Sequence, residues 1–241
     1  MLTLGGRHFL IDCGISHRRL TEGLATQGLG TEDIEAVLIT HTHTDHVSGL
    51  PVWFRQTGLR FIVPEKALRR ASVCIGRGAL GSRLFSFVPG EDYALDGVTF
   101  TPFAVKHDAP ETVGLSFDDG TFRFTYLTDL GAADEEYAGL CEGADLLFLE
   151  ANHEPELVEV SHYPAMLKRR ILSPKGHLSN GQALSLLASL KRPPRKVILG
   201  HLSEVNNSPE RVRERIDASA VPGMISEVHI ASQREPTTVT I

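Results

Sequence analysis

The run His41-Thr42-His43-Thr44-Asp45-His46, directly after the apolar segment Ala36-Val37-Leu38-Ile39-Thr40, constrains this chain more than any other feature. Four ligating side chains at the end of a buried strand would be costly to bury without partners. Alternate residues of an extended segment point the same way. His41 and His43 can therefore grip one cation while Asp45 and His46, across the turn, reach a second. Imidazole and carboxylate together suit zinc, manganese or iron, and the run offers no sulfur.

The rest of the sequence is that of an ordinary folded protein. Its 241 residues, 41% hydrophobic and 22% charged, are enough for one sizeable α/β core, expected as a single domain over residues 1–241. No stretch approaches the roughly 20 apolar residues of a membrane span, and the first residues lack a basic segment followed by an apolar run, so a cytoplasmic location is expected. Cys13, Cys74 and Cys141 are odd in number and far apart, which argues against a disulfide framework or a thiolate metal site. A formal charge of −6 means that bulk electrostatics would not draw the chain to a polyanion. Any nucleic-acid contact has to come from a local patch.

Period and punctuation predict the elements. Residues 2–13 form a hairpin about Gly5-Gly6 whose second arm ends near Asp12. Helices are expected over residues 18–29, 47–57, 181–190 and 209–218, with another started by Pro64 and one starting at Glu154. Strands are expected over 36–40, 59–63, 84–88, 98–105, 145–150, 195–200, 225–231 and 236–241. A hairpin, 112–117 with 122–128, turns at Asp118-Asp119-Gly120. A β-rich first half followed by alternating strands and helices suits an α/β protein of two sheets packed face to face with helices outside.

The histidine run, with Gly49-Leu50-Pro51 behind it, resembles the signature motif of the metallo-β-lactamase superfamily. The resemblance implies an αββα sandwich and two divalent metal ions. It extends to Asp12 at an early strand end, a later His107, Asp129, and His201 at a last strand end, all in the family's order. By themselves these would read as surface, capping or packing residues. Within the resemblance, His41, His43 and His107 hold one metal, Asp45, His46 and His201 the other, and Asp129 bridges. Catalysis then belongs to a water between two cations, with Asp45 among the catalytic carboxylates and Asp12 orienting the histidine loop rather than binding metal.

Four segments narrow the branch: Thr128-Asp129-Leu130-Gly131, Glu150-Ala151-Asn152-His153, Pro174-Lys175-Gly176-His177-Leu178-Ser179-Asn180, and Leu199-Gly200-His201-Leu202-Ser203-Glu204-Val205-Asn206-Asn207. They resemble the YycJ/WalJ type and, more distantly, ribonuclease Z, whose members cut phosphodiesters. The resemblance implies a proton-donor role for His177 and substrate contacts from Asn152, His153, Lys175, Ser179 and Asn180. Helix capping by Ser179 or Asn180 is the plainer reading of that loop and can hold together with the functional one, and capping of the next helix is the alternative for His153. Lys168-Arg169-Arg170 with Lys175, and Lys191, Arg192, Arg195 and Lys196, suit either phosphate tracking or a solvated helix face. His8, His17, His162 and His229 read as surface or packing residues, although His162 beside Tyr163-Pro164 could border a cleft.

YycJ-type chains usually open with a strand and a Gly/Ser-rich turn ahead of the segment matched by residues 2–14, so a first edge strand is expected to be missing. Between Asp129 and His201 there is no room for the inserted domain of ribonuclease J-like enzymes and no evident protruding arm of the ribonuclease Z kind. The leading expectation is a metal-dependent phosphodiesterase acting on nucleic acid, DNA rather than RNA, as an exonuclease. A small-molecule ester, thioester or lactam hydrolase is the alternative, since fold alone does not choose. A binding protein without activity is the third class, and a complete ligand set speaks against it.

Overall fold

The computed structural model describes residues 1–76, 83–233 and 235–240. Five strands, β1 (Leu2–Leu4), β2 (Arg7–Ile11), β3 (Ile34–Leu38), β4 (Phe61–Pro64) and β5 (Leu84–Phe87), form one sheet in that order. The β1–β2 pair is an antiparallel hairpin, and the pairings from β2 to β5 are parallel. The interior strand β3 is apolar on both faces apart from Glu35, as a parallel strand covered on two sides requires. The strands β6 (Tyr93–Leu95), β7 (Val98–Val105), β8 (Thr112–Asp118), β9 (Arg123–Leu127), β10 (Leu146–Glu150), β11 (Lys196–Gly200) and β12 (Glu227–Ile230) make a seven-stranded sheet. Its order is β12-β11-β10-β9-β8-β7-β6.

The helices are α1 (His17–Ala25), α2 (Thr44–Val47), α3 (Leu50–Gln56), α4 (Leu68–Ile75), α5 (Glu135–Cys141), α6 (Pro155–Val160), α7 (Ala165–Ile171), α8 (Asn180–Ser189) and α9 (Pro209–Asp217). The chain divides into two compact units, Met1–Ala104 with Ala109–Leu115, and Val105–Asp108 with Ser116–Ile241. In the first, Phe9, Ile39, Leu50, Trp53 and Phe61 are among the fully buried side chains. In the second, Phe117, Leu127, Leu147, Leu149, Leu187 and Leu199 are among those that exclude water completely. Among the described residues no helix is long and apolar enough to cross a membrane.

Several elements differ from the sequence expectation for local reasons. The helix expected over 47–57 is broken into α2 and α3 because Gly49 is pressed onto the end of β2. Its N–H bonds the Cys13 carbonyl at 2.8 Å, and a Cβ there would sit 2.3 Å from the Ile15 carbonyl oxygen. The helix expected over 18–29 ends at Ala25, and the chain then turns through Gly28 at φ 72°. The short strand β6 escaped notice because it has three residues; Asp96 (φ 46°) and Gly97 (φ 91°) turn it into β7 with both central residues left-handed. The helices α5 and α7 are each seven residues, too short to show a period. Residues 236–240 form no strand: they are largely exposed, and Pro236 has no N–H to donate to a ladder. Ile241 lies outside the described residues.

Leu149, in the middle of β10 and fully buried, sets the scale of the core of its unit. Leu149→Ala is expected to lower unfolding free energy by about 2–5 kcal/mol, read from urea titrations followed by circular dichroism. A loss under about 1 kcal/mol would mean that the β10 core is looser than described.

Candidate metal centre

In the first unit the donors are arranged by a carboxylate at the end of β2. Asp12 has left-handed backbone (φ 62°), which aims its side chain back across the sheet end. Its Oδ1 accepts the Thr40 N–H at 2.8 Å, and its Oδ2 accepts the Thr40 hydroxyl at 2.9 Å and pairs with His46 Nδ1 at 2.7 Å. With Nδ1 held by Asp12, the remaining nitrogen of His46, Nε2, is the lone pair available to a cation. That Nε2 stands 3.5 Å from Asp45 Oδ2. His41 is fully buried, and its Nε2 lies 3.1 Å from His43 Nδ1, two ring nitrogens close enough to share a proton or a cation. Asp45 is exposed to solvent.

In the second unit the donors cluster at the ends of β9, β10 and β11. Asp129, buried at 1% exposure, has φ 59°, and His201 has φ 56°. Left-handed backbone is uncommon outside glycine, though Asp, Asn and His tolerate it best. Asp129 Oδ1 lies 3.7 Å from His107 Nε2, 3.8 Å from His201 Nε2 and 3.8 Å from His177 Nδ1. Two ligands of one zinc-like ion can be no more than about 4.2 Å apart. The donor set and its spacing therefore fit a divalent cation.

Glu150, to which the sequence motifs assign no role, completes this half. It ends β10 with no exposed surface. Its Oε1 takes both His177 Nδ1 and His201 Nδ1 at 2.7 Å, and its Oε2 accepts the N–H groups of Leu130 and Leu178 at 3.1 Å. Burial alone would raise the Glu150 carboxyl. The charge of His177, and the hydrogen bonds of both histidines, outweigh it and hold the group ionised, well below the usual range. The same pairing raises His177 against the effect of its own burial. The signal for Glu150 was available in the sequence: an acidic residue closing the otherwise apolar strand Leu146-Leu147-Phe148-Leu149.

The loop that carries His177 is held hard against its neighbours. His107 Nδ1 bonds the Gly176 carbonyl at 3.1 Å. A Cβ on Gly131, two residues after Asp129, would sit 2.2 Å from the Ser173 carbonyl oxygen, so only glycine allows this approach.

The residues expected to touch substrate fare differently. Ser179 is a helix cap: its Oγ accepts the Gln182 N–H and starts α8. Asn180, 1% exposed, donates its amide to Glu154 at 2.8 Å and Asn207 at 3.0 Å. Asn152 donates to the His201 carbonyl at 2.7 Å and so holds that turn. His153 is buried, lowered to about 4 by burial first, and its Nδ1 has no hydrogen-bond partner. Lys175 alone of the five is exposed.

Residues 7–202 match the family described as the β-lactamase superfamily domain, and the chain belongs to that family. Exodeoxyribonuclease WalJ of Streptococcus pneumoniae is 35% identical over 206 residues, covering 85% of this chain and 77% of that protein. Exodeoxyribonuclease YycJ of Bacillus anthracis is 30% identical over 240 residues, covering 97% and 90%. The metallo-β-lactamase fold protein YhfI from Bacillus subtilis superposes with a TM-score of 0.68 at 19% identity, over 95% of this chain and 86% of that one, and shares the fold. The α/β class and the YycJ/WalJ resemblance expected from the sequence are thereby borne out.

Glu150→Gln replaces an acceptor of four donors with a group that must present one N–H to some of them. Metal affinity is expected to fall about 10–100-fold, measured by competition with a chromogenic chelator. Unchanged affinity would show that Glu150 does not orient the histidines.

Proposed function

We propose that the protein is a metal-dependent nuclease that hydrolyses phosphodiester bonds of DNA, acting as an exonuclease in the cytoplasm. The observation that carries this reading is the Glu150–His177 pair. A histidine whose Nδ1 is held by a buried carboxylate has its other nitrogen, Nε2, left for a proton. The two exodeoxyribonucleases that are 35% and 30% identical support the substrate class.

In this reading residues 1–241 work as one domain of the metallo-β-lactamase fold, with the ligand set that the resemblance implies. His41, His43 and His107 would hold one ion and Asp45, His46 and His201 the other, with the Asp129 carboxylate shared between the two sets. Bound there, two divalent cations, zinc or manganese, would supply Lewis acidity to the phosphate and to the attacking water.

The chain's own residues do the rest. Asp12 keeps His46 turned to its task through the 2.7 Å contact at Nδ1. Glu150 favours the charged form of His177, so Nε2 can give its proton to the departing oxygen. His201, sharing the same carboxylate oxygen, keeps Nε2 directed towards Asp129. Lys175, exposed two residues before His177, is placed in sequence to meet a backbone phosphate.

The test is cleavage of end-labelled single- and double-stranded DNA and RNA with manganese, zinc or chelator, with Asp45→Ala as control. Metal-dependent loss of DNA label, absent in the control, is expected, and the products give the polarity. Turnover of a carboxylic ester or thioester with every nucleic acid left intact would replace the reading with a small-molecule hydrolase.

His177→Ala is expected to lower cleavage by about 10²–10⁴-fold at unchanged metal content. Full activity in that variant would remove the proton-donor role. Asp129→Ala is expected to lose bound metal, measured by elemental analysis; retention of two ions with normal turnover would remove the bridge.

A further inference from the structure

The hairpin of α6 and α7 has a surface that metal binding does not explain. Val160, at the end of α6, is 79% exposed and Met166, in the first turn of α7, is 77% exposed. Among the described residues these are the most exposed large apolar side chains. The turn that presents them is firmly built. Ser161 Oγ donates to the Val158 carbonyl at 2.8 Å, the His162 and Tyr163 rings meet edge to face with centroids 5.1 Å apart, and Lys168 Nζ straps α7 to the Glu159 carbonyl at 2.7 Å.

Charge runs along the same helix. Residues 165–176 hold Lys168, Arg169, Arg170 and Lys175 and not one acidic side chain, within a chain whose net charge is −6. Met166, Arg169 and Arg170 are spaced i, i+3 and i+4, so they share one helix face. The inner end of that face is anchored at the candidate metal centre. Arg170 makes a paired contact with Asp108, the residue after His107, and the Ile171 carbonyl accepts the His177 N–H at 3.1 Å. From Arg170 to Met166 the helix rises about 6 Å, close to two steps of a duplex strand at roughly 3.4 Å each.

We propose that the α6–α7 hairpin is the grip on the nucleic-acid strand beside the reacting phosphate, and the proposal rests on the nuclease reading above. The apolar tip of Val160 and Met166 lies against the face of a base, and Arg169 meets a backbone phosphate between that base and His177. Apolar contact with base faces tolerates any sequence, and a cationic row tracks the backbone. This combination suits an enzyme that degrades a strand without reading it. The four cations Lys168, Arg169, Arg170 and Lys175 outnumber Glu156 and Glu159 on α6, an excess that favours a DNA strand; a two-fold contact with a second copy would set two such basic faces against each other.

The experiment compares wild type with Val160→Ser/Met166→Ser and with Arg169→Gln. Binding of a fluorescein-labelled 20-mer DNA is followed by anisotropy in chelator, and hydrolysis of the same 20-mer and of bis(p-nitrophenyl) phosphate is followed with manganese. The double variant is expected to weaken Kd and raise KM for the 20-mer about fivefold or more, with turnover of the small diester within twofold of wild type. Arg169→Gln is expected to weaken Kd and to reduce the slope of log Kd against log salt by about 1.

Unchanged 20-mer binding and KM in both variants would overturn the proposal while leaving the nuclease reading intact. So would a change confined to self-association in sedimentation, which would make the tip a contact between copies. A wild-type protein that turns over the small diester but neither binds nor cuts DNA would overturn both readings.

Discussion

A single buried carboxylate organises the second unit. Glu150, at the end of β10 and out of contact with water, would be strongly unfavourable as an isolated anion. It is ionised because four donors converge on it: two histidine rings and two backbone N–H groups. Those donors belong to the segment after β9, the loop before α8 and the turn after β11. Satisfying one charge therefore fixes where three strand ends and a loop can lie. The rings of His177 and His201 are oriented as a consequence, before any metal or substrate arrives.

The first unit repeats the logic on a smaller scale. Asp12 ends β2, takes the Thr40 N–H and hydroxyl, and holds His46 through Nδ1. In both places a strand-end carboxylate occupies one imidazole nitrogen and so determines which nitrogen faces outward. Asp12, Asp129 and His201 all have left-handed backbone. Such conformations in non-glycine residues cost on the order of 1–3 kcal/mol each, and the surrounding sheets supply the packing that keeps them there. Three of the five such non-glycine residues among those described lie at strand ends beside the candidate donors, while Asp96 and Glu111 sit in turns elsewhere.

The same geometry ties the α6–α7 hairpin to the candidate centre. Gly131 and Gly176 permit backbone approaches that a side chain would block, so the loop after α7 lies directly on the segment after Asp129. Arg170 joins α7 to Asp108. A basic helix face and the His177 loop thus become one continuous piece of structure.

What could be read from the sequence was whatever depends on local order and residue chemistry. The histidine run after β3, the strand-end aspartates, the hairpin at Asp118-Asp119-Gly120 and the long buried strands each announce themselves within a few residues. The resemblance then supplied the order of His107, Asp129 and His201. Contacts distant in sequence could not be read in the same way. Glu150 looked like the last residue of a strand until His177, 27 positions later, and His201, 51 positions later, folded onto it. The amide network of Asn180 likewise depends on Glu154 and Asn207, 26 and 27 positions away. Pattern in the sequence determined which side chains could bind a cation, because that is a property of imidazole and carboxylate. Tertiary structure decided which were buried, paired and aimed, because hydrogen-bond partners and exclusion of water come only from segments that the chain brings together by folding.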